Sequence, residues 1–200
     1  MKSLNIYLLR HGQTNENKEK LYYGDMDIDM NECGKKQIYM AAKHLKNIKF
    51  DKVFISERKR TRQTADIIFK CKRNDYIIDP RLNESSFGIF EGLTYEEIIN
   101  KYPEEYKKWS EDWVNYCPLN GESCSDMCNR VNSFMDDLKN IDAENILIIT
   151  HSGVMRAIYC YLLDKNINMF WKFGCKNGDI ALLKYEYGNM FLDSILHCNS

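Results

Sequence analysis

The sequence predicts an α/β fold: a three-layer sandwich with a mostly parallel central sheet, helices on both faces and a small helical cap. Three observations carry this. Short apolar runs alternate with segments of helical spacing along most of the chain, the order of strand–helix–strand units around a parallel sheet. Two of those runs, LNIYLL at 4–9 and NILIIT at 145–150, are almost unbroken, as in strands buried on both faces. The middle, roughly 84–121, breaks the alternation: it is rich in aromatic and acidic residues and has no strand signal.

The elements follow in order. LNIYLL is the first strand. Residues 31–48 place Ile38, Ala41, Ala42, Leu45 and Ile48 at helical spacing. KVFIS at 52–56 is the second strand, and 58–70 is a helix with Ala65, Ile68 and Phe69 on its apolar side. YIID at 76–79 is a third strand stopped by Pro80. Short helical pieces in the middle segment predict a cap over the sheet's edge. Helix 123–139 carries Met127, Val131, Phe134, Met135 and Leu138 on one stripe. Strand 145–150 leads into a helix through GVMRAIYCYLLD. Two strand-like runs, 179–186 and 190–196, close the chain, with Gly188-Asn189 between them as a hairpin signal. There is no internal repeat and no low-complexity tract. One domain over 1–200, with a cap insertion at about 84–121, is the expected organisation.

Composition narrows the function classes. The chain is 44% hydrophobic and 28% charged, as in globular proteins. A formal net charge of -1 provides no basic field for nucleic acid or an anionic membrane. An anionic ligand must therefore be drawn by a local basic cluster. No run approaches the roughly 18 apolar residues of a membrane span. The N-terminal apolar run ends in Arg10-His11 without a small-residue cleavage site, so it reads as a strand and not as a signal peptide. Eight cysteines, at 33, 71, 117, 124, 128, 160, 175 and 198, form no C-x-x-C pair. They read as reduced thiols of a cytoplasmic protein, with neither a disulfide framework nor a metal site expected.

Two histidines occupy equivalent places. His11 follows strand 4–9 and His151 follows strand 145–150, and ligands of open α/β sheets bind beyond the carboxyl ends of strands. Gly12 and Gly153 come close behind them, allowing sharp turns and close backbone approach. Arg10 sits beside His11, and Arg60 follows strand 52–56 at a helix start. Guanidinium forks match the oxygens of a phosphoryl group in pairs, and helix N-termini add donors. Positive charge is expected from Arg10, Arg60 and a protonated His151. A leaving alkoxide needs a proton, and Glu84 in LNESSFG is the carboxyl best placed to supply it. His44 and His197 read as surface or structural, Arg58 and Arg62 as solvent-facing, and the Lys/Glu run at 104–108 as a solvated helix face. RHG alone is a weak motif. The ordered series strand–RHG, strand–arginine-rich helix start, strand–Glu, strand–HSG points to a phosphate site.

At these residues the chain resembles the histidine phosphatase superfamily, which includes phosphoglycerate mutases and small-molecule phosphatases. LLRHGQTNEN is similar to LxRHGxTxxN, SERKRTRQTADII to SxxxRAxQTAxxI, LNESSFGIFEG to LxExxFGxWEG, and THSGVMR to the HGGVIR segment. GESCSDMCNRV resembles GES…RV, with Gly121-Glu122-Ser123 and Arg130. The resemblance implies that His11 is the nucleophile that becomes phosphohistidine. It implies Glu84 as proton donor, with Arg10, Asn17, Arg60, His151 and Ser152 holding the phosphate, and no metal or cofactor. Departures are mild: Ser152 replaces glycine, Thr61 replaces alanine and Phe90 replaces tryptophan. The short interval from Glu84 to Gly121 argues for hydrolysis over a mutase, which in this superfamily carries a longer insertion there. WSEDWVNYCPLNGES further resembles the W-x-x-D-W…P-x-N-G-E stretch of α-ribazole phosphatases, which act in assembly of the lower loop of cobalamin. On that reading the substrate is a small-molecule phosphate ester, and Trp109, Trp113 and Tyr116 offer faces to a flat ring. Trp109 and Trp113, four apart, equally suit a helix that merely anchors the cap. A phosphoglycerate mutase, a broad-specificity phosphatase and a non-catalytic phosphate-ligand sensor are the alternatives. The sequence leaves the oligomeric state open.

Overall fold

Side-chain alternation along the apolar runs decides the layers. The computed structural model describes residues 3–73 and 75–198. Strand β1 (Leu4–Arg10) leads through a short helix α1 (Asn15–Glu19) into α2 (Glu32–Leu45). Then come β2 (Lys52–Ile55), α3 (Lys59–Phe69) and β3 (Ile77–Ile78). The segment that follows carries α4 (Tyr95–Lys101) and α5 (Pro103–Glu111). The chain returns through α6 (Cys124–Leu138), β4 (Asn145–Thr150) and α7 (Ser152–Leu162) to β5 (Ile180–Glu186) and β6 (Asn189–Leu196). The sheet order is β3-β2-β4-β1-β5-β6. The first four strands in that order run parallel, while β5 is antiparallel to both β1 and β6.

Leu4, Ile6 and Leu8 of β1, with Ile146 and Ile148 of β4, turn to the face covered by α6 and α7. Leu9, Leu147, Ile149, Val53 and Ile55 turn to the face covered by α2 and α3. These strands are buried on both sides, which is why their sequences read as unbroken apolar runs. Asn31 caps α2 by accepting from Gly34 N at 2.8 Å, and Ser123 caps α6 by accepting from Asp126 N at 3.1 Å.

Three boundaries differ from expectation. Helix α2 stops at Leu45, leaving Ile48 packed beyond its end. Strand β3 is only two residues long; as an edge strand it leaves Ile77 and Ile78 exposed, so little burial rewards its extension. The hairpin turn is Tyr187-Gly188, not Gly188-Asn189. Glu186 pairs with Asn189, and the two turn residues have φ of 53° and 82°, as a two-residue turn of the primed type requires.

The segment from Glu84 to Gly121 covers the carboxyl end of the central strands. Tyr22, in the loop after α1, exchanges backbone hydrogen bonds with Leu93 (2.9 Å) and Gly92 (2.8 Å). The Glu91 carboxylate accepts from Gly24 N and Phe87 N, tying the cap to the same loop.

Candidate active site

The β1–β4 register sets Arg10 opposite Thr150, so His11 and His151 leave neighbouring strand ends side by side. Their ring centroids lie 5.0 Å apart. His11 is 2% exposed and donates from Nδ1–H to the Gly12 carbonyl at 2.8 Å. That bond fixes the tautomer and leaves Nε2 with its lone pair. Burial, with Arg60 and Arg10 close by, holds the imidazole well below its ordinary pKa, so it is neutral and nucleophilic at neutral pH. Gly12 is required by space: a Cβ there would lie 2.5 Å from the Gly34 carbonyl oxygen.

Arg60 is fully buried at the start of α3. Its Nη1 and Nη2 donate to the carbonyls of Met26 (2.7 Å) and Gly24 (2.8 Å), and its Nε donates to His151 Nδ1 at 3.2 Å. His151 Nε2 meets Ser56 Oγ at 2.8 Å. Both nitrogens of His151 are therefore engaged. Since Arg60 has no acceptor atom, Nδ1 must be the unprotonated one. The protonated His151 anticipated from the sequence is not what the fold builds: burial first, then Arg60, His11 and Arg10, push its pKa well below the ordinary value. It stands behind Arg60 as a neutral brace. Arg58, expected in solvent, instead pairs with Asp25 at 2.6 Å and helps hold the 24–27 loop whose carbonyls grip Arg60. Arg62 and His44 are exposed as expected, and His197 pairs with Asp179 at 2.9 Å.

Arg10, His11, Asn17, Arg60, Glu84 and Ser152 line one cavity of about 360 Å³. Arg10 is fastened by a hydrogen bond from Nη1 to the Cys175 carbonyl. Asn17 Oδ1 accepts from Thr14 N (3.2 Å) and from Asn177 Nδ2 (3.1 Å), leaving its NH₂ group as the part able to donate to a ligand. Glu84 Oε2 accepts from Gly153 N (3.0 Å) and Ser152 Oγ (3.4 Å), and Oε1 accepts from Ser85 N (3.1 Å). The carboxyl is thus held at the N-terminus of α7, between the arginines and the cap. Among the described residues no three His, Cys, Asp or Glu side chains gather as a metal ion would need.

Glu84 and Ser152 also belong to an adjoining cleft of about 300 Å³. Its walls are Tyr22, Phe87 and Trp109 on the cap side and Arg156, Phe170 and Trp171 on the other. Trp109 and Trp113 both line it but not as one helix face. Trp109 is on α5 against Tyr22 and Phe90, whereas Trp113 lies beyond the helix end against Phe170 and Trp171. Tyr116 bonds to Glu105 and is absent from the cleft wall. Asn177, Ser56, Arg156 and Trp171 escaped sequence reasoning. Ser56, heading the SxxxR stretch, and Arg156, closing the THSGVMR stretch, carried signals that could have found them.

The sequence matches the Histidine phosphatase superfamily (branch 1) over residues 6–196, and the chain belongs to that superfamily. It is a phosphoric monoester hydrolase. It is 32% identical over 182 residues to phosphoserine phosphatase 1 of Hydrogenobacter thermophilus, covering 90% of this chain and 86% of the relative. It is also 32% identical over 176 residues to the adenosylcobalamin/α-ribazole phosphatase of Salmonella typhimurium, covering 88% and 87%. Among solved structures, the α-ribazole phosphatase of Shigella flexneri superposes with a TM-score of 0.92 at 27% identity, over 98% of this chain and 97% of that one.

Proposed function

We propose that the chain hydrolyses α-ribazole 5′-phosphate through a phosphohistidine at His11. The observation that carries this is the continuity of the phosphate cavity, across Glu84 and Ser152, with a cleft walled by aromatic rings. His11 Nε2 attacks phosphorus, the bond to the ester oxygen breaks, and Glu84 gives that oxygen its proton. Arg10, Arg60 and the Asn17 amide hold the equatorial oxygens as their charge rises. In the second step water attacks phosphohistidine, Glu84 takes its proton, and inorganic phosphate leaves a neutral His11. The cleft receives the leaving nucleoside, whose benzimidazole stacks on indole faces. Eight unpaired cysteines, as expected where thiols stay reduced, support a cytoplasmic location. Among the described residues, no helix is long and apolar enough to cross a membrane.

A second reading, phosphoserine as substrate, is favoured by the similarity to the Hydrogenobacter enzyme. Comparing kcat/KM for α-ribazole 5′-phosphate, L-phosphoserine and 3-phosphoglycerate tests both. The α-ribazole assignment fails if its value is no higher than the other two.

A further inference from the structure

Arg156 lies on α7 one turn beyond Ser152, on the wall of the aromatic cleft. Its guanidinium carbon sits 4.9 Å from the centre of the Trp171 ring, and its Nε donates to the Phe173 carbonyl at 3.1 Å. These two contacts fix the plane of the guanidinium. Among the described residues no carboxylate pairs with it. Glu122, the other charged residue of the cleft besides Glu84, is already held by Arg130 through two bonds of 2.6 and 2.7 Å. Trp171 is 61% exposed, although it packs edge-on to Phe170 at 5.0 Å and tilted on Trp113 at 5.8 Å. A large indole left open beside a fixed, unpaired guanidinium is a surface prepared for a ligand.

We propose that Arg156 and Trp171 form the subsite for the leaving group, determining specificity for a nucleoside-like ester; this rests on the reading of the cleft given above. Trp171 offers its open face to the ring. Arg156 donates to a neutral acceptor, a sugar hydroxyl oxygen or a ring nitrogen. Position favours this occupant. Four residues of helix separate Ser152, which touches Glu84, from Arg156, a rise of about 6 Å. The base and the far hydroxyls of a nucleoside 5′-phosphate lie at about that distance from the 5′-oxygen, whereas the carboxylate of phosphoserine lies closer to its ester oxygen.

The test uses Arg156→Met, Arg156→Lys and Trp171→Ala in the full chain. Steady-state kinetics are measured on α-ribazole 5′-phosphate, L-phosphoserine and p-nitrophenyl phosphate, with inhibition by dephosphorylated α-ribazole. For Arg156→Met the expected result is a rise of about tenfold or more in KM for α-ribazole 5′-phosphate, with kcat changing much less. The inhibition constant of α-ribazole should rise by a similar factor. The loss in kcat/KM on p-nitrophenyl phosphate should be at least about tenfold smaller. Lysine, which keeps the charge but not the planar fork, should not restore affinity. Trp171→Ala should show the same split. Equal losses on all substrates would make the pair structural and overturn the proposal, as would an unchanged inhibition constant for α-ribazole. If the wild-type enzyme prefers phosphoserine, the underlying substrate reading fails. If Arg156→Met then selectively impairs phosphoserine, Arg156 is a carboxylate clamp and the subsite assignment fails separately.

Discussion

Gly153→Ala isolates proton donation from everything else in the site. Gly153 is the second residue of α7, and a Cβ built on it falls 2.3 Å from Glu84 Oε1, whereas ordinary contact begins at 3.4 Å. The clashing atom is the end of a flexible side chain, so the carboxyl withdraws by about 1 Å while the backbone stays in place. The same movement loosens the Gly153 N–H bond to Oε2, now 3.0 Å. Misplacement of that size costs about 10²-fold, and general acid catalysis as a whole contributes roughly 10²–10⁴-fold. An alkyl phosphate such as α-ribazole 5′-phosphate should therefore lose about two orders of magnitude in kcat. The loss on p-nitrophenyl phosphate should be far smaller, because nitrophenolate leaves with little help from a proton. Alanine is also the better helix former, by about 0.5–1 kcal/mol, so the protein should be as stable as the wild type or up to about 4 °C more stable. Parallel kinetics on the two substrates and a calorimetric melt make the assay. Wild-type turnover of the alkyl ester would refute the placement of Glu84 as acid. An equal loss on both substrates would put the damage in the phosphate cavity instead.

Further outcomes follow from the same geometry. His11→Ala should fold and show no measurable turnover, since enzymic acceleration of phosphate-monoester hydrolysis reaches about 10²¹-fold and the nucleophile is gone; residual activity above a few per cent in a purified sample would exclude the covalent route. Exhaustive treatment with a chelator should leave activity intact, because the cations of the cavity are the side chains of Arg10, Arg60 and Lys20; loss restored by added zinc or magnesium would contradict this. His11 and His151 are held below their unfolded pKa, so the unfolded chain binds more protons and stability falls as pH drops below about 6.5. Near pH 5.5 the penalty is about 1.4 kcal/mol for each imidazole still neutral, and replacing both with glutamine should flatten the denaturation midpoint between about pH 7.5 and 5.5. Asn177→Ala removes bonds to the His11 carbonyl (3.0 Å) and Asn17 Oδ1 (3.1 Å). It should lower kcat/KM about thirtyfold on every phosphate ester alike, with each bond contributing about 1 kcal/mol; a substrate-selective effect would argue against a role in shaping the phosphate cavity.

Local regularities made much of this molecule legible in one dimension. Hydrophobic period separates strand from helix because each residue's burial repeats along the element that holds it. The unbroken runs at 4–9 and 145–150 announced strands covered on both faces, and Met127, Val131, Phe134, Met135 and Leu138 announced the buried stripe of α6. Ligand sites at strand ends follow from the topology of open sheets, so the positions of His11, Arg60, Glu84 and His151 just after apolar runs were enough to put them near one edge. What remained invisible depends on contacts between residues far apart in the chain, and on exclusion of water. The pairing of Arg10 with Thr150 sets the two histidines 5.0 Å apart. Burial beside Arg60 keeps His151 neutral, a matter of desolvation that no spacing encodes. Trp109 and Trp113 are four apart in sequence, yet the end of α5 sends them into different aromatic clusters. Asn177 and Trp171 reach the site only because β5 pairs with β1 and the turn after α7 packs against the cap. Sequence alone determined which elements form and which chemistry they carry, because both are local. Tertiary structure alone decided protonation, register and the shape of the aromatic cleft, because each arises from groups that meet only once the chain has closed on itself.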